Sequence, residues 1–324
     1  MFGGIGGFRL GLEKAGDFKC VGYAEIDRYA VQCYNQNFGE NYKPIDVATI
    51  DWSKQPDFDL LCAGFPCQSF SVAGKRKGFL DTRGTLFFEI ARCAREKQPH
   101  FLLLENVKGL LSNNKGQTFA TILATLDELG YDAEWQVLNS KDFGVPQNRE
   151  RVFIFAWKRS KNLQTKFGGV FPIFPRKEKQ ITLIDILKKQ VDKKYYLPKK
   201  SVKRIVERLD CYKIKKISII ADRYRTLAGK GNHPEIKKDD ITYSITSVPK
   251  DNLVLYPIER GQTYPYIRRL TPIEIERLQG FSDGWTAMLS DTRRYKTVGN
   301  AVTVNVVEDI GRMISQKIRQ LSIN

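Results

Sequence analysis

The sequence predicts an α/β fold: a parallel sheet with helices on both faces, followed by a smaller, irregular portion. Three observations carry that expectation. Short apolar runs alternate with amphipathic helical patterns through the first half of the 324 residues, the order that stacks parallel strands with crossover helices between them. After Trp157 the alternation dissolves into a stretch punctuated by glycine and proline. The net charge is +17, and between Pro172 and Tyr266 stand 22 Lys and Arg against 11 Asp and Glu. A basic, irregular portion suits a polyanionic partner such as nucleic acid; the alternative is a lysine-rich solvated surface.

In chain order, the strand candidates are Cys20–Ile26, Asp59–Phe65, His100–Val107, Trp135–Asn139 and Arg151–Trp157. Each is short, apolar and bounded by turn formers or charge. Helical spacing predicts helices over Arg28–Asn37, Thr85–Glu96 and Gln117–Leu129, the last closed by Gly130 where a helix C-terminus favours glycine. Lys158–Lys179, with Gly168, Gly169, Pro172 and Pro175, reads as a linker. Order returns at Leu270, where Thr271, Pro272 and Glu274 spell an N-cap, a first helical residue and a capping-box partner. A closing helix runs from about Val304 to Leu321.

No run of about 18 apolar residues is present, which argues against a membrane-spanning helix, and the glycine-rich N-terminus does not resemble a signal peptide. The six cysteines show no framework spacing, and two histidines without a C-x-x-C pair argue against a metal site. A reducing cytoplasm is expected.

The chemistry-bearing segments lie at the ends of the strand candidates. Pro66-Cys67-Gln68 follows an apolar run, so Cys67 stands at the carboxyl edge of an inner strand, where open α/β sheets bind ligands. Its alternative is that of most cysteines, a small buried hydrophobe. Phe2-Gly3-Gly4-Ile5-Gly6-Gly7 opens the chain, and its glycines allow a nucleotide-like ligand to approach the backbone closely. About twenty residues on, Glu25 can accept ribose hydroxyls. Asp46 suits an adenine amino group or an ordinary cap. Glu105 and Asn106 emerge from the apolar run Phe101–Leu104; burial there would favour a protonated carboxyl, with an edge-of-sheet cap as the alternative. Arg149 and Arg151 share a face if the strand alternation holds, and would suit a ring carbonyl or a phosphate, or else a surface ion pair with Glu150.

Pro66-Cys67-Gln68, Glu105-Asn106-Val107, Gln147-x-Arg149-x-Arg151, the run from Arg269 to Phe281 and Gly299-Asn300-Ala301-Val302 together resemble the ordered motifs of the bacterial cytosine-C5 DNA methyltransferases, of restriction-modification type. The opening Phe-x-Gly-x-Gly-Gly belongs to the same series. The resemblance covers about residues 1–157 and 268–310. It implies a Rossmann-like S-adenosylmethionine-dependent methyltransferase sheet with helices on both faces, plus a smaller, mostly β target-recognition domain. The implied division is 1–171 with 282–324 for catalysis and cofactor, and 172–281 for target recognition and hinge.

The resemblance further implies that Cys67 attacks C6 of a flipped cytosine, Glu105 donates to N3, and Arg151, with Arg149 and Asn106 in support, polarises O2 and holds the loop. Phe2, Gly4, Gly6, Gly7, Glu25, Asp46, Leu86 and Asn300 would line the S-adenosyl-L-methionine pocket. Lys75 and Arg76 would close over duplex DNA, and Arg225, Thr226 and Lys230 would lie near the bases. A cognate restriction endonuclease and a monomeric state are also expected. Relatives carry a hydrophobic strand ahead of the glycine turn, whereas Met1 directly precedes Phe2 here; the expectation is that the true start lies upstream or that another segment supplies the strand. Three other readings remain: a tRNA cytosine-C5 methyltransferase, an inactive nucleic-acid-binding relic, and a nicotinamide-dependent oxidoreductase sharing the glycine turn and Glu25.

Overall fold

A computed structural model describes residues 1–66, 86–159, 181–209, 215–221, 235–237, 240–246 and 252–322. The chain divides into two compact units: Met1–Asn139, Glu150–Arg176 and Val306–Asn324 form the first, Ser140–Arg149 and Lys177–Asn305 the second. Residues 140–149 and 282–305, which the sequence expectation assigns to the catalytic portion, therefore pack with the second unit.

The first unit is built on a four-stranded sheet of order β1 (Leu60–Gly64), β2 (Phe101–Val107), β5 (Glu150–Lys158), β3 (Tyr131–Asn139). β1 and β2 run parallel, while β2–β5 and β5–β3 are antiparallel. The sheet is thus mixed, not parallel throughout. A parallel neighbour needs a crossover of a dozen or more residues, usually helical. α3 (Leu86–Lys97) lies between β1 and β2, whereas only the ten residues 140–149 separate β3 from β5, and the chain doubles back.

β2 and β5 are buried on both faces: Leu102 and Leu104 on one, Leu103 and Phe155 on the other, are fully covered. α3 and α4 (Gln117–Glu128) supply the first cover, placing Phe87, Ile90, Cys93, Phe119, Ile122 and Leu126 in the same cluster as Leu102, Leu104, Val152 and Ile154. At roughly 25 cal/mol per Å² of apolar surface, each such side chain contributes about 1.5–3 kcal/mol. α1 (Gly7–Ala15) and α9 (Val304–Ser322) meet where Gly311 leaves room for Leu12 and Ala15. α2 (Arg28–Phe38) is capped by the Asp27 carboxylate accepting from the Tyr29 amide. Gly130 takes the left-handed φ of +83° expected after α4.

One expected strand is missing. Residues 20–25 form no helix or turn, and no ladder pairs them among the described residues. Between Cys20–Ala24 and β1 lies a cavity of about 340 Å³, also lined by Met1, Phe8, Leu12 and Trp52. A strand requires hydrogen-bonded neighbours, and here the nearest edge lies across that space. Backbone contacts hold the segment instead: Gly3 N–H donates to Ala24 O (3.1 Å) and Ile45 N–H to Glu25 O (2.8 Å).

The second unit contains a small sheet of order β10 (Ile267–Arg269), β9 (Leu253–Leu255), β6 (Ser218–Ala221), β7 (Glu235–Ile236). Val202, Ile205 and Val206 of α6 (Lys199–Val206) pack on it. α7 (Pro272–Leu278) opens on the expected capping box of Thr271 and Glu274. The same Glu274 carboxylate is bidentate to Arg268, at 2.8 and 2.9 Å, with both side chains fully buried. No described helix is long and apolar enough to cross a membrane.

Candidate active site

β1 and β2 run parallel, so their carboxyl ends fall on the same edge of the sheet. Gly64 is in register with Glu105, and an added Cβ on Gly64 would stand 3.6 Å from Glu105 Oε2. One residue further along β2, the buried Asn106 donates from Nδ2 to the Phe65 carbonyl at 2.9 Å and accepts from Val107 N–H at 2.8 Å. Asn106 therefore fixes the backbone as it leaves β1, two residues before Cys67. Cys67 itself, with Lys75 and Arg76, lies outside the described residues.

Arg151 enters from the antiparallel neighbour, opposite Val107. Its Nε lies 3.0 Å from Glu105 Oε1, and the two side chains are only 18% and 12% exposed. Burial pulls the guanidinium below its usual range, and the Glu105 carboxylate works against that pull. Glu105 thus meets a cation in addition to the apolar surroundings read from the sequence. The arrangement sets a carboxyl and a guanidinium side by side, mostly out of water, at the edge where Cys67 follows. Such a pair can present one donor to a ring nitrogen and another to a ring carbonyl.

The glycine turn is built against aromatic rings as well as open space. An added Cβ on Gly3 would stand 2.6 Å from Tyr23 Cε2, and one on Gly6 would strike the Phe38 ring. Gly4 differs: its φ is +53° and nothing lies within 4 Å of its Cβ position, so the space at its α-carbon is open to a ligand. Gly7 is buried as the first residue of α1. Phe2, also at positive φ (51°), packs against the main core, as does Leu86 at the start of α3.

Glu25 accepts from Gly4 N–H through Oε2 and from Ile26 and Asp27 N–H through Oε1, each at 2.9 Å. Three donors on about four acceptor sites leave one, on Oε2, for a hydroxyl. Asp46 is exposed and caps the following turn by accepting from Ala48 N–H at 3.0 Å. Its loop is tied to Glu25 through Ile45 N–H and braced by Arg92, which donates to the Val47 and Ile50 carbonyls at 2.9 and 2.8 Å.

Two of the expected residues that the structure describes belong to the second unit. Arg149 lies between β4 (Gln147–Asn148) and β5, so the alternation that would align it with Arg151 is interrupted. It is 2% exposed, and its guanidinium donates to the carbonyls of Ile245 (2.9 Å), Gly299 (3.2 Å) and Ala301 (2.9 Å). These bonds tie residue 149 to the segments at 245 and 299–301, in keeping with the supporting, loop-holding part that the resemblance implies for it. Asn300 is the last, exposed residue of α8 (Asp291–Asn300), directly between the two tethered carbonyls. Arg225, Thr226 and Lys230 lie outside the described residues.

Sequence reasoning missed Tyr23, Arg92 and Gln279. Gln279 Nε2 donates to Val298 O and Ala301 O, and its Oε1 accepts from Gln147 Nε2 and Thr303 Oγ1. A buried amide that satisfies four groups leaves no periodic signature. The glycines at 3 and 6 did carry a signal for large neighbouring rings.

A family model for C-5 cytosine-specific DNA methylases matches residues 1–316. The type II methyltransferase M.SsoII of Shigella sonnei is 40% identical over 317 residues, covering 97% of this chain and 78% of that protein. M.NlaX of Neisseria lactamica, also a type II methyltransferase, is 39% identical over 327 residues, covering 99% and 97%. Among solved structures, a putative DNA modification methyltransferase encoded within an Escherichia coli prophage superposes with a TM-score of 0.68 at 20% identity, covering 98% of each chain.

Proposed function

The chain belongs to the C-5 cytosine-specific DNA methylases, and on that premise we propose that it methylates a flipped cytosine within one short duplex DNA sequence, with Cys67 as covalent nucleophile. The cofactor is S-adenosyl-L-methionine, which when bound supplies an electrophilic methyl group to C5 of the ring. The described residues fit it: Gly4 leaves open space at its α-carbon and Glu25 keeps an acceptor site on Oε2. Phe2, Leu86 and Asp46 complete that pocket in this reading.

Cytosine C5 is a weak nucleophile. The Cys67 thiolate adds to C6, and the electron pair of the C5–C6 bond becomes available at C5, which splits one hard step into two easier ones. Glu105 donates a proton at ring N3 as negative charge builds there, and Arg151 donates a hydrogen bond to O2. After methylation C5 loses its proton to a base, the C5–C6 double bond re-forms, Cys67 leaves as thiolate, and N3 returns its proton to Glu105. None of this is possible inside a stacked duplex, so flipping costs a few kcal/mol that binding must offset. Lys75 and Arg76, next to the nucleophile in sequence, and the basic stretch with Arg225, Thr226 and Lys230 serve DNA contact in the same reading.

The observation that carries the proposal is the half-buried Glu105–Arg151 pair at the edge where β1 hands the chain to Cys67, with Asn106 holding Phe65 O. The type II relatives support a cognate restriction endonuclease acting at the same site. A cytoplasmic monomer that works on DNA completes the reading. Labelled methyl transfer to unmethylated genomic DNA, followed by bisulfite sequencing, tests it. Label at cytosine in one short motif is expected; transfer to tRNA alone, or none with cofactor bound, contradicts it.

A further inference from the structure

Gly4 is held from both sides. Its N–H donates to Glu25 Oε2 at 2.9 Å, and its carbonyl accepts from the Tyr23 hydroxyl at 2.7 Å. The positive φ of Gly4 is one of several backbone conformations open to glycine, so the peptide needs outside contacts to fix it. Tyr23 is itself immobilised. Its ring stacks on Tyr34 with centroids 3.7 Å apart and 22° between planes, and Tyr34 lies 4.6 Å from Phe38. Arg9 backs the column by donating to the Tyr34 hydroxyl (3.1 Å) and pairing with Glu40 (2.7 Å). Gly3 and Gly6 lack the Cβ atoms that would collide with Tyr23 and Phe38, so the turn rests directly on the rings.

We infer that Tyr23 is a positioning residue for the methyl donor: its hydroxyl and the Glu25 carboxylate clamp the Gly4 peptide in the orientation that S-adenosyl-L-methionine meets. This rests on the cofactor assignment above. Burial, followed by the nearby Glu25 charge, pushes the Tyr23 phenol above its usual range, so it remains an O–H donor at every working pH.

The test is Tyr23→Phe, which keeps the ring and deletes the hydroxyl. A net hydrogen bond of ordinary strength corresponds to a loss of about threefold to tenfold in cofactor affinity. Titration calorimetry with S-adenosyl-L-methionine should show that loss, with kcat at saturating cofactor essentially unchanged and the melting temperature lowered by no more than about 4 °C. In the double variant with Glu25→Ala the loss should be smaller than the product of the two single losses, because both act through one peptide. Hydrogen exchange at the Gly4 amide, measured without cofactor, should be faster in Tyr23→Phe. Unchanged affinity with unchanged exchange overturns the inference. So does a loss of kcat and melting temperature together, which marks a merely structural tyrosine. If the parent protein fails to bind the cofactor, the functional reading falls, while the exchange experiment still judges the clamp.

Discussion

Arg149→Ala should unfold the second unit before it affects chemistry. The side chain is 2% exposed and bonds the carbonyls of Ile245, Gly299 and Ala301 at 2.9, 3.2 and 2.9 Å, with a longer contact to Ser244 Oγ at 3.4 Å. Hydrogen bonds to charged groups contribute about 1.5–3 kcal/mol each, and each carbonyl left unpaired costs about 1–3 kcal/mol. Some carbonyls will find water or Gln279, which already donates to Ala301 O at 3.0 Å, so the net loss is set at about 3–5 kcal/mol. That is a large part of an ordinary domain's stability. Denaturant titration on tryptophan fluorescence, with Trp285 as the reporter in the second unit, measures it. Arg149→Lys should lose nearly as much, because one ammonium does not span three carbonyls in a fixed fork. If Arg149→Ala keeps its stability to within about 1 kcal/mol while kcat collapses, the tethering assignment is wrong and Arg149 acts on substrate.

Other outcomes follow from the same geometry. Gly6→Ala should destabilise the first unit by more than about 1 kcal/mol, since φ is +93° and a Cβ would strike the Phe38 ring. Gly4→Ala meets open space and should cost less in a thermal melt. Native-state alkylation with peptide mapping should leave Cys93 unmodified at pH 8, because it is fully covered and burial pushes its thiol up to about 12. Asp283 is held below the usual carboxylate range, chiefly by its bidentate bonds from Arg277 at 2.7 and 2.6 Å. A lowered carboxyl stabilises above its unfolded value and loses that contribution as pH falls through the folded one. Melts taken below about pH 4 should therefore show Asp283→Asn with a flatter acid slope, by about 0.5 kcal/mol for so exposed a pair.

Local signals were legible in the sequence. The α2 pattern over Arg28–Asn37, the Gly130 stop after α4 and the Thr271–Glu274 box each depend on residues a turn apart, and each forms. Strand partnership is less local. Residues 20–26 have strand composition, yet ladder pairing depends on what lies beside them, and a cavity does. The antiparallel return of β5 could have been read from the short 140–149 link, which leaves no room for a crossover helix. Glu105, Asn106 and Arg151 were legible because each stands at a strand end beside an apolar run, and β2 and β5 bring them together. The supporting place of Arg149 was legible too, but its partners at 245, 299 and 301 were not, because they lie about a hundred residues or more away in sequence.

The central claim is that Cys67 forms a covalent bond to C6 of cytosine in DNA. The direct measurement uses duplex DNA carrying 5-fluorocytosine at the methylated position, incubated with S-adenosyl-L-methionine and run on a denaturing gel. Fluorine on C5 blocks the final elimination, so the parent protein should remain attached to DNA, and Cys67→Ala should show neither the adduct nor methyl transfer. Methylation by Cys67→Ala at the parent rate, or an adduct mapping to another residue, would contradict the account.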